Sequence, residues 1–330
     1  MNAVIAFFVV LALVVVAWLG VGTADLRFLF GVILPYAGLG LFVVGIVYRI
    51  LHWAASPVPF RIPTSCGQQK SLPWIKSAKL DNPHSFLGTV GRMALEVLCF
   101  RSLMRNTSSE LREGPKIGYG PNLWLWVAGL AFHWSFLVIL IRHFRYFTEP
   151  VPAVIAIVGE LDGFFQVGLP ILYLTDIFVV GALTYLFLRR VFIPQMRTIS
   201  LVADYLALFL LLGITTTGVL LRYFTKTDIV AVKELAMGLM SFNPVIPDGI
   251  GVMFFIHLFL VSCLLAYFPI SKLMHMGGVF LSPTRNLANN NRVRRHINPW
   301  NPKVKLHTYE EYEDEFRDVM KEAGLPLEKE

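Results

Sequence analysis

Cysteine is scarce in this sequence. The three present, Cys66, Cys99 and Cys263, include no CxxC pair, so the chain has no iron–sulfur or zinc framework of its own. A CxxCH motif is also missing, which excludes a covalently attached c-type haem. Charge is the second shortage: 15% of residues are Asp, Glu, Lys or Arg, against about 25% in average soluble domains. The opening stretch MNAVIAFFVVLALVVVAWLG lacks the basic start of a signal peptide and reads as a retained transmembrane helix. No inverted repeat or pair of broken helices is evident, which weighs against a transporter.

What is present is apolar. Hydrophobic residues make up 55% of the chain and the mean hydropathy is +0.61. Six runs, at 3–20, 28–48, 122–142, 168–188, 201–221 and 250–272, are each long enough to cross a hydrocarbon core. The fold class that follows is an all-α, polytopic membrane helix bundle. Of the 29 Lys and Arg residues, 23 fall on one side of these spans and 6 on the other. The positive-inside rule then places the long 51–121 loop, the tail and both termini in the cytoplasm, with the chain in the inner membrane. The net charge of +7 is a topology signal in such a protein and gives no reason to expect a nucleic-acid partner.

The segments between spans carry their own patterns. Within 85–105, SFLGTVGRMALEVLCFRSLMR, apolar residues recur at helical spacing while Arg92, Glu96, Arg101 and Arg105 fall opposite. This reads as one amphipathic helix, lying at the membrane surface, under a partner, or on the protein's own face. VPAVIAIVG, within 143–167, is too short to span. In the tail, Thr308 and Glu311 form a capping box that opens a helix stopping near Gly324. A basic arm before it and its acidic face suggest docking on another subunit.

Four histidines give the bundle its chemistry. His133 and His143 lie ten residues apart in one span; His257 and His275 lie eighteen apart at the two ends of HLFLVSCLLAYFPISKLMH. Eighteen residues of helix make five full turns, so that pair would share a face ~27 Å apart, against ~15 Å for the first pair. The two spans run antiparallel, so His143 matches His257 in the outer leaflet and His133 matches His275 toward the cytoplasm. Two centres ~20 Å apart would follow. Zinc gathers three or four ligands at one point; two opposed imidazoles at each level suit a six-coordinate haem iron, which leaves electron transfer as the chemistry. Intramembrane histidines are functional candidates by default. His52, at the inner end of the second span, is a candidate for propionate contact or for replacing His275 as inner ligand. His84, His296 and His307 read as surface residues, and Lys272 and Arg49 as propionate partners or snorkelling anchors.

On these spacings the sequence resembles the gamma subunit of respiratory nitrate reductase, a membrane cytochrome b family with two haems b held by histidine pairs 10 and 18 apart. Five spans, from 28 to 272, correspond to that fold; 1–27 is then an added N-terminal helix, 28–275 the di-haem bundle with its insert 51–121, and 276–330 a cytoplasmic tail. The insert, with LEVLCFRSLMRNT at 95–107, resembles the DsrM family of membrane subunits from Dsr electron-transfer complexes, which is similar to the heterodisulfide reductase membrane subunit. That resemblance implies menaquinol as substrate and a cytoplasmic iron–sulfur subunit of DsrK type as partner. It also implies a multihaem cytochrome c, a ferredoxin-like subunit and a second membrane subunit, in dissimilatory sulfur metabolism. Arg142 and Arg145 flank His143 and are candidates for propionate or quinone contact. Glu160, Asp162 and the intramembrane Asp176 are candidates for accepting quinol protons. Gly213 and Gly218, in GITTTGVLLRY, leave room for a flat group or for another helix. The remaining alternatives are a haem b subunit of nitrate or heterodisulfide reductase type, and a haem-free anchor or transporter.

Overall fold

The computed structural model describes residues 1–57, 67–114, 116–163, 170–292, 303 and 305–329; Cys66 and His296 lie outside them. In chain order the helices are α1 (Asn2–Gly22), α2 (Leu34–Ala54, extended backwards by a π-helical turn over Leu29–Ile33), α3 (Phe86–Cys99), α4 (Arg101–Met104), α5 (Leu123–His143), α6 (Ala153–Asp162), α7 (Leu174–Phe192), α8 (Pro194–Ile199), α9 (Val202–Tyr223), α10 (Ile229–Met240), α11 (Val252–Tyr267), α12 (His275–Leu281), α13 (Pro283–Asn286) and α14 (Tyr309–Glu322). Among the described residues, five segments are long and apolar enough to cross a membrane: Asn2–Gly22, Leu29–Ala54, Leu123–Tyr146, Val202–Tyr223 and Val252–Ile270. They coincide with five of the six expected spans. The remaining run, 168–188, corresponds to α7, which is not one of the five. It begins at Leu174, and Asp176, Arg189 and Arg190 fall within its 19 residues.

Helix α5 packs on α7, α7 on α9, α9 on α11 and α11 on α2, while α1 lies against both α9 and α11. The core so formed contains Ala17, Leu235, Phe255 and Leu260, all fully buried. Lipid is as apolar as leucine, so close van der Waals packing has to hold such helices together. Helix α2 achieves it against α11 and the turn that follows α11, through two glycines seven residues apart on one stripe of α2. A Cβ at Gly38 would stand 2.7 Å from the Ser262 carbonyl oxygen, and one at Gly45 2.6 Å from Pro269 Cβ. At one end of the bundle, Asn2 Nδ2 donates to Ser200 O at 2.9 Å, Tyr205 donates to Arg190 O at 3.0 Å, and Lys272 pairs with Asp204 at 2.8 Å. We call this the Lys272 end; the other is the Arg142 end.

Two expectations need correction. First, His257 and His275 do not share one helix. Helix α11 stops at Tyr267, 3₁₀ turns follow over Phe268–Ile270 and Lys272–Met274, and α12 begins at His275. Pro269 removes a backbone donor. Ser271, in an extended conformation, then caps the next turn by accepting from Leu273 N at 3.1 Å. The five-turn, same-face argument and its ~27 Å length therefore fail. Second, the 85–105 helix is broken at Phe100, whose φ of 48° and ψ of 49° end α3 in the left-handed region before the single turn of α4. The all-α helix bundle stands as expected, with one small addition among the described residues. Strands β1 (Thr107–Arg112) and β2 (Lys116–Pro121) form an antiparallel hairpin, with Thr107 opposite Pro121 and Arg112 opposite Lys116.

The insert helix docks on the chain itself. Trp126 and Trp134 of α5 donate their indole N–H groups to Cys99 O at 2.8 Å and Leu98 O at 3.0 Å, which satisfies carbonyls at the end of α3. Arg92 donates to Thr284 O at 3.2 Å, and Glu96 pairs with Arg285 of α13. Phe86 and Leu87, at the start of α3, remain exposed. VPAVIAIVG forms most of α6, whose ten residues reach ~15 Å and do not span. The tail behaves as its capping box implies: Thr308 Oγ accepts from Glu311 N at 3.2 Å and the Glu311 carboxylate from Thr308 N at 3.1 Å. Helix α14 ends at Glu322 and Gly324 has φ +68°. Buried Glu313 accepts from Glu328 N at 2.7 Å and Lys329 N at 3.0 Å, folding the last residues back onto α14.

Candidate metal centres and the polar network beside them

Helix α5 carries His133 and His143; α11 and α12 carry His257 and His275. The structure brings them together in two pairs. His133 and His275 have ring centroids 5.9 Å apart, with planes at 81°. His143 and His257 are 6.5 Å apart, with planes at 17°. His275 meets His133 even though the intervening helix is broken. Among the described residues no three His, Cys, Asp or Glu side chains gather at one point, so these are two-ligand sites.

The hydrogen bonds of the four rings fix their tautomers. Nδ1 of His133 lies 2.7 Å from Gly129 O, Nδ1 of His143 2.7 Å from Ile139 O, and Nδ1 of His275 2.8 Å from Lys272 O. A carbonyl only accepts, so each Nδ1 carries the proton and each Nε2 keeps its lone pair. His257 Nδ1 lies 2.9 Å from Thr217 Oγ1. None of the described residues hydrogen-bonds to any of the four Nε2 atoms. A b-type haem fits this donor set. With the rings of each pair 5.9 Å and 6.5 Å apart and every Nε2 open, His133 with His275 and His143 with His257 would be the residues to hold it. Outer-sphere acceptors on the far nitrogen are the usual partners of metal-bound histidines.

The rings open differently to their surroundings. His133, His143 and His275 are exposed on the chain and His257 is half-buried. Phe100 and Phe132 both stand edge-on to His133 with centroids at 4.8 Å, so the break that ends α3 places an aromatic ring on the first pair. Tyr146 stands at 5.8 Å from His143. His52 stacks on Tyr48 at 6.0 Å, and the partner of His133 is His275. His84 lies 3.4 Å from Lys70 Nζ, and His307 3.8 Å from Glu315. Arg49 sits over Trp53 at 5.6 Å, and Lys272 is committed to Asp204. Gly213 faces Leu260 and Val10 of neighbouring helices, whereas Gly218 faces the His257 ring.

At the Arg142 end, three of the acid–base candidates form one buried network. Arg142 Nη2 lies 2.8 Å from Asp176 Oδ1 and Nε 2.9 Å from Asp162 Oδ2. The Nε–H does not point at that oxygen, so the second contact is an ion pair and not a hydrogen bond. Thr175 gives Asp162 its backbone N–H at 2.9 Å and its hydroxyl at 2.6 Å. Tyr223 donates to Asp176 Oδ2 at 2.8 Å and accepts from Tyr173 N at 3.1 Å. The Tyr173 ring lies between two guanidinium groups, Arg142 at 3.7 Å and Arg222 at 4.0 Å. Arg145 instead donates to its neighbour Tyr146 at 2.8 Å, and Glu160 is exposed on α6. Thr175, Tyr173, Tyr223, Arg222 and Thr217 are participants that sequence reasoning missed, although Tyr223, Arg222 and Thr217 lie in GITTTGVLLRY, where only Gly213 and Gly218 were singled out.

The fold and these sites define a membrane helix bundle that presents paired imidazoles from an α5 helix and an antiparallel α11–α12 segment. A family model described as nitrate reductase gamma subunit matches residues 103–296, the stretch that contains all four paired histidines, and the chain belongs to that family. It is similar to two archaeal proteins, each named Hdr-like menaquinol oxidoreductase cytochrome b-like subunit. The protein from Archaeoglobus fulgidus is 48% identical over 281 residues, covering 83% of this chain and 84% of that protein. The one from Archaeoglobus profundus is 40% identical over 283 residues, covering 83% of each.

Proposed function

We propose that this chain is the di-haem b membrane subunit of a menaquinol-linked oxidoreductase. It takes electrons from menaquinol near the outer face and delivers them to a cytoplasmic iron–sulfur partner of DsrK or heterodisulfide reductase type. The observation that carries the reading is the set of four imidazoles in two pairs, each with Nδ1 engaged and Nε2 open. His133 and His275 would hold the inner haem and His143 and His257 the outer one; when bound, each haem supplies a one-electron carrier. The names of the two archaeal relatives support the quinol and the cytochrome b character. The DsrM-like insert supports a place in sulfur metabolism, with a multihaem cytochrome c, a ferredoxin-like subunit and a second membrane subunit as further partners.

The residues at the Arg142 end divide the remaining work. Arg142 and Asp162 are locked to each other and serve as the wall that orients Asp176. Asp176, held by Arg142 and Tyr223, is the proton acceptor for quinol oxidation. Arg145 binds the quinone head, and exposed Glu160 passes protons outward. Helix α7 serves as the sixth span, which keeps both termini cytoplasmic. In the domain plan, 1–27 is an added anchor, 28–275 the bundle with insert 51–121, and 276–330 the tail that meets the partner subunit.

A reduced-minus-oxidised spectrum of the purified chain, with haem quantified per protein, tests the core of this. Two haems b are expected, and one in His257→Ala. No b-type α band would leave a haem-free anchor or transporter; two haems in His257→Ala would show the ligand assignment to be wrong.

A further inference from the structure

The four imidazoles are not held alike. Three donate Nδ1–H to a backbone carbonyl three or four residues back on their own segment. His257 alone is held by a side chain from another helix, Thr217 of α9. Thr217 Oγ1 also lies 2.8 Å from Gly213 O and 3.0 Å from Ile214 O. Its single hydrogen is spent on those carbonyls, so toward His257 the hydroxyl accepts. One residue on, a Cβ at Gly218 would stand 3.4 Å from His257 Cε1. Helix α9 therefore touches the ring at two adjacent edges, with Thr217 buried and fixed in place.

We propose that Thr217 is a positioning residue that fixes the plane of His257 nearly parallel to His143 and so makes the outer haem centre electronically distinct from the inner one. This rests on the di-haem reading above. The occupied π orbital of an imidazole stands perpendicular to its ring. Parallel axial rings therefore act on the same iron d orbital and split the dxz/dyz pair. Perpendicular rings act on one orbital each and leave the pair nearly degenerate. The 17° and 81° pairs fall at the two limits. Thr217 Oγ1, 2.9 Å from His257 Nδ1 beside the Ile214 carbonyl, is the side-chain acceptor for that N–H, and outer-sphere acceptors raise ligand basicity and favour ferric iron. Oxidised protein should then show two low-spin ferric signals, a rhombic one from the outer centre and a strongly anisotropic one from the inner.

The test is electron paramagnetic resonance and potentiometry on the full chain with Thr217→Val and Thr217→Ser. Valine keeps the volume and removes the acceptor. It should alter only the rhombic signal and raise only one midpoint potential, by roughly a tenfold change in the ferrous/ferric ratio, ~59 mV for one electron. Loss of one haem in the valine variant, with both retained and both signals unaltered in the serine variant, supports the same role. Serine should restore the unaltered behaviour. The proposal is overturned if the valine variant keeps two haems with both signals and both potentials unchanged, or if both centres shift together. An unaltered chain with no b-type band refutes the di-haem reading itself, and this inference with it.

Discussion

Arg142→Met is the sharpest test of the polar network. Arg142 is 7% exposed. It balances two carboxylates whose side chains are 3% and 14% exposed, at 2.9 Å and 2.8 Å. Methionine fills much of the same volume without the charge. Breaking a buried ion pair by removing one partner costs about 3–5 kcal/mol, because the other charge is left uncompensated. Thr175 and Tyr223 still donate to Asp162 and Asp176, so the loss should fall at the lower end, about 3 kcal/mol. In Arg142→Met/Asp162→Asn/Asp176→Asn no buried charge of the triad remains. Replacing whole buried pairs by neutral groups is often close to neutral, so the triple variant should recover to within about 1 kcal/mol of the unaltered chain. Reversible unfolding in mixed micelles, followed by tryptophan fluorescence, reads both. The reasoning is refuted if the single variant loses less than about 1 kcal/mol, or if the triple variant is no more stable than the single one.

Acid should release the insert before it affects the bundle. Burial alone would raise the Glu96 pKa, but the Ser102 hydrogen bonds and the Arg285 charge outweigh it and hold the carboxyl below its ordinary range. The same holds for Asp81 between Arg105 and Arg101. Both contributions are fully present above the ordinary carboxylate pKa and are lost as pH falls through the lowered folded-state values. Amide exchange over 67–105 should therefore accelerate with acidity, beyond the intrinsic rate, only below about pH 4. Gly38→Leu should force α2 away from the Ser262 carbonyl; overpacking of this kind costs about 1–3 kcal/mol and would appear as a lower melting temperature in detergent. Thr308→Ala should fray α14 at its start by about 1 kcal/mol, visible as faster exchange over 309–312 with no change elsewhere.

The long spans were legible because unbroken apolar runs such as 2–22 have one reading in a chain this poor in charge. Helix α7 was blurred by Asp176, Arg189 and Arg190, the first of which belongs to the network and not to lipid. The tail helix could be read from Thr308 and Glu311, because a capping box is local chemistry. The break at Phe100 could not, since a bulky aromatic in the left-handed region carries no local signal; it is held there by indoles from α5, more than 25 residues further along. The break after Tyr267 was written in Phe-Pro-Ile-Ser, but the matching histidines at either end favoured one continuous helix. The histidine pairs followed from antiparallel topology alone. The Arg142 network did not, because its members come from α5, α6, α7 and α9, and nothing in one-dimensional spacing brings four elements to one point.

The interruption between Tyr267 and His275 also separates two mechanical fates. His257 is clamped in the bundle by α9, while His275 sits beyond a proline hinge, at the head of a seven-residue helix on the side where the insert and tail emerge. The geometry of the Lys272-end pair is therefore set by a separate short element, and that of the Arg142-end pair by the bundle itself.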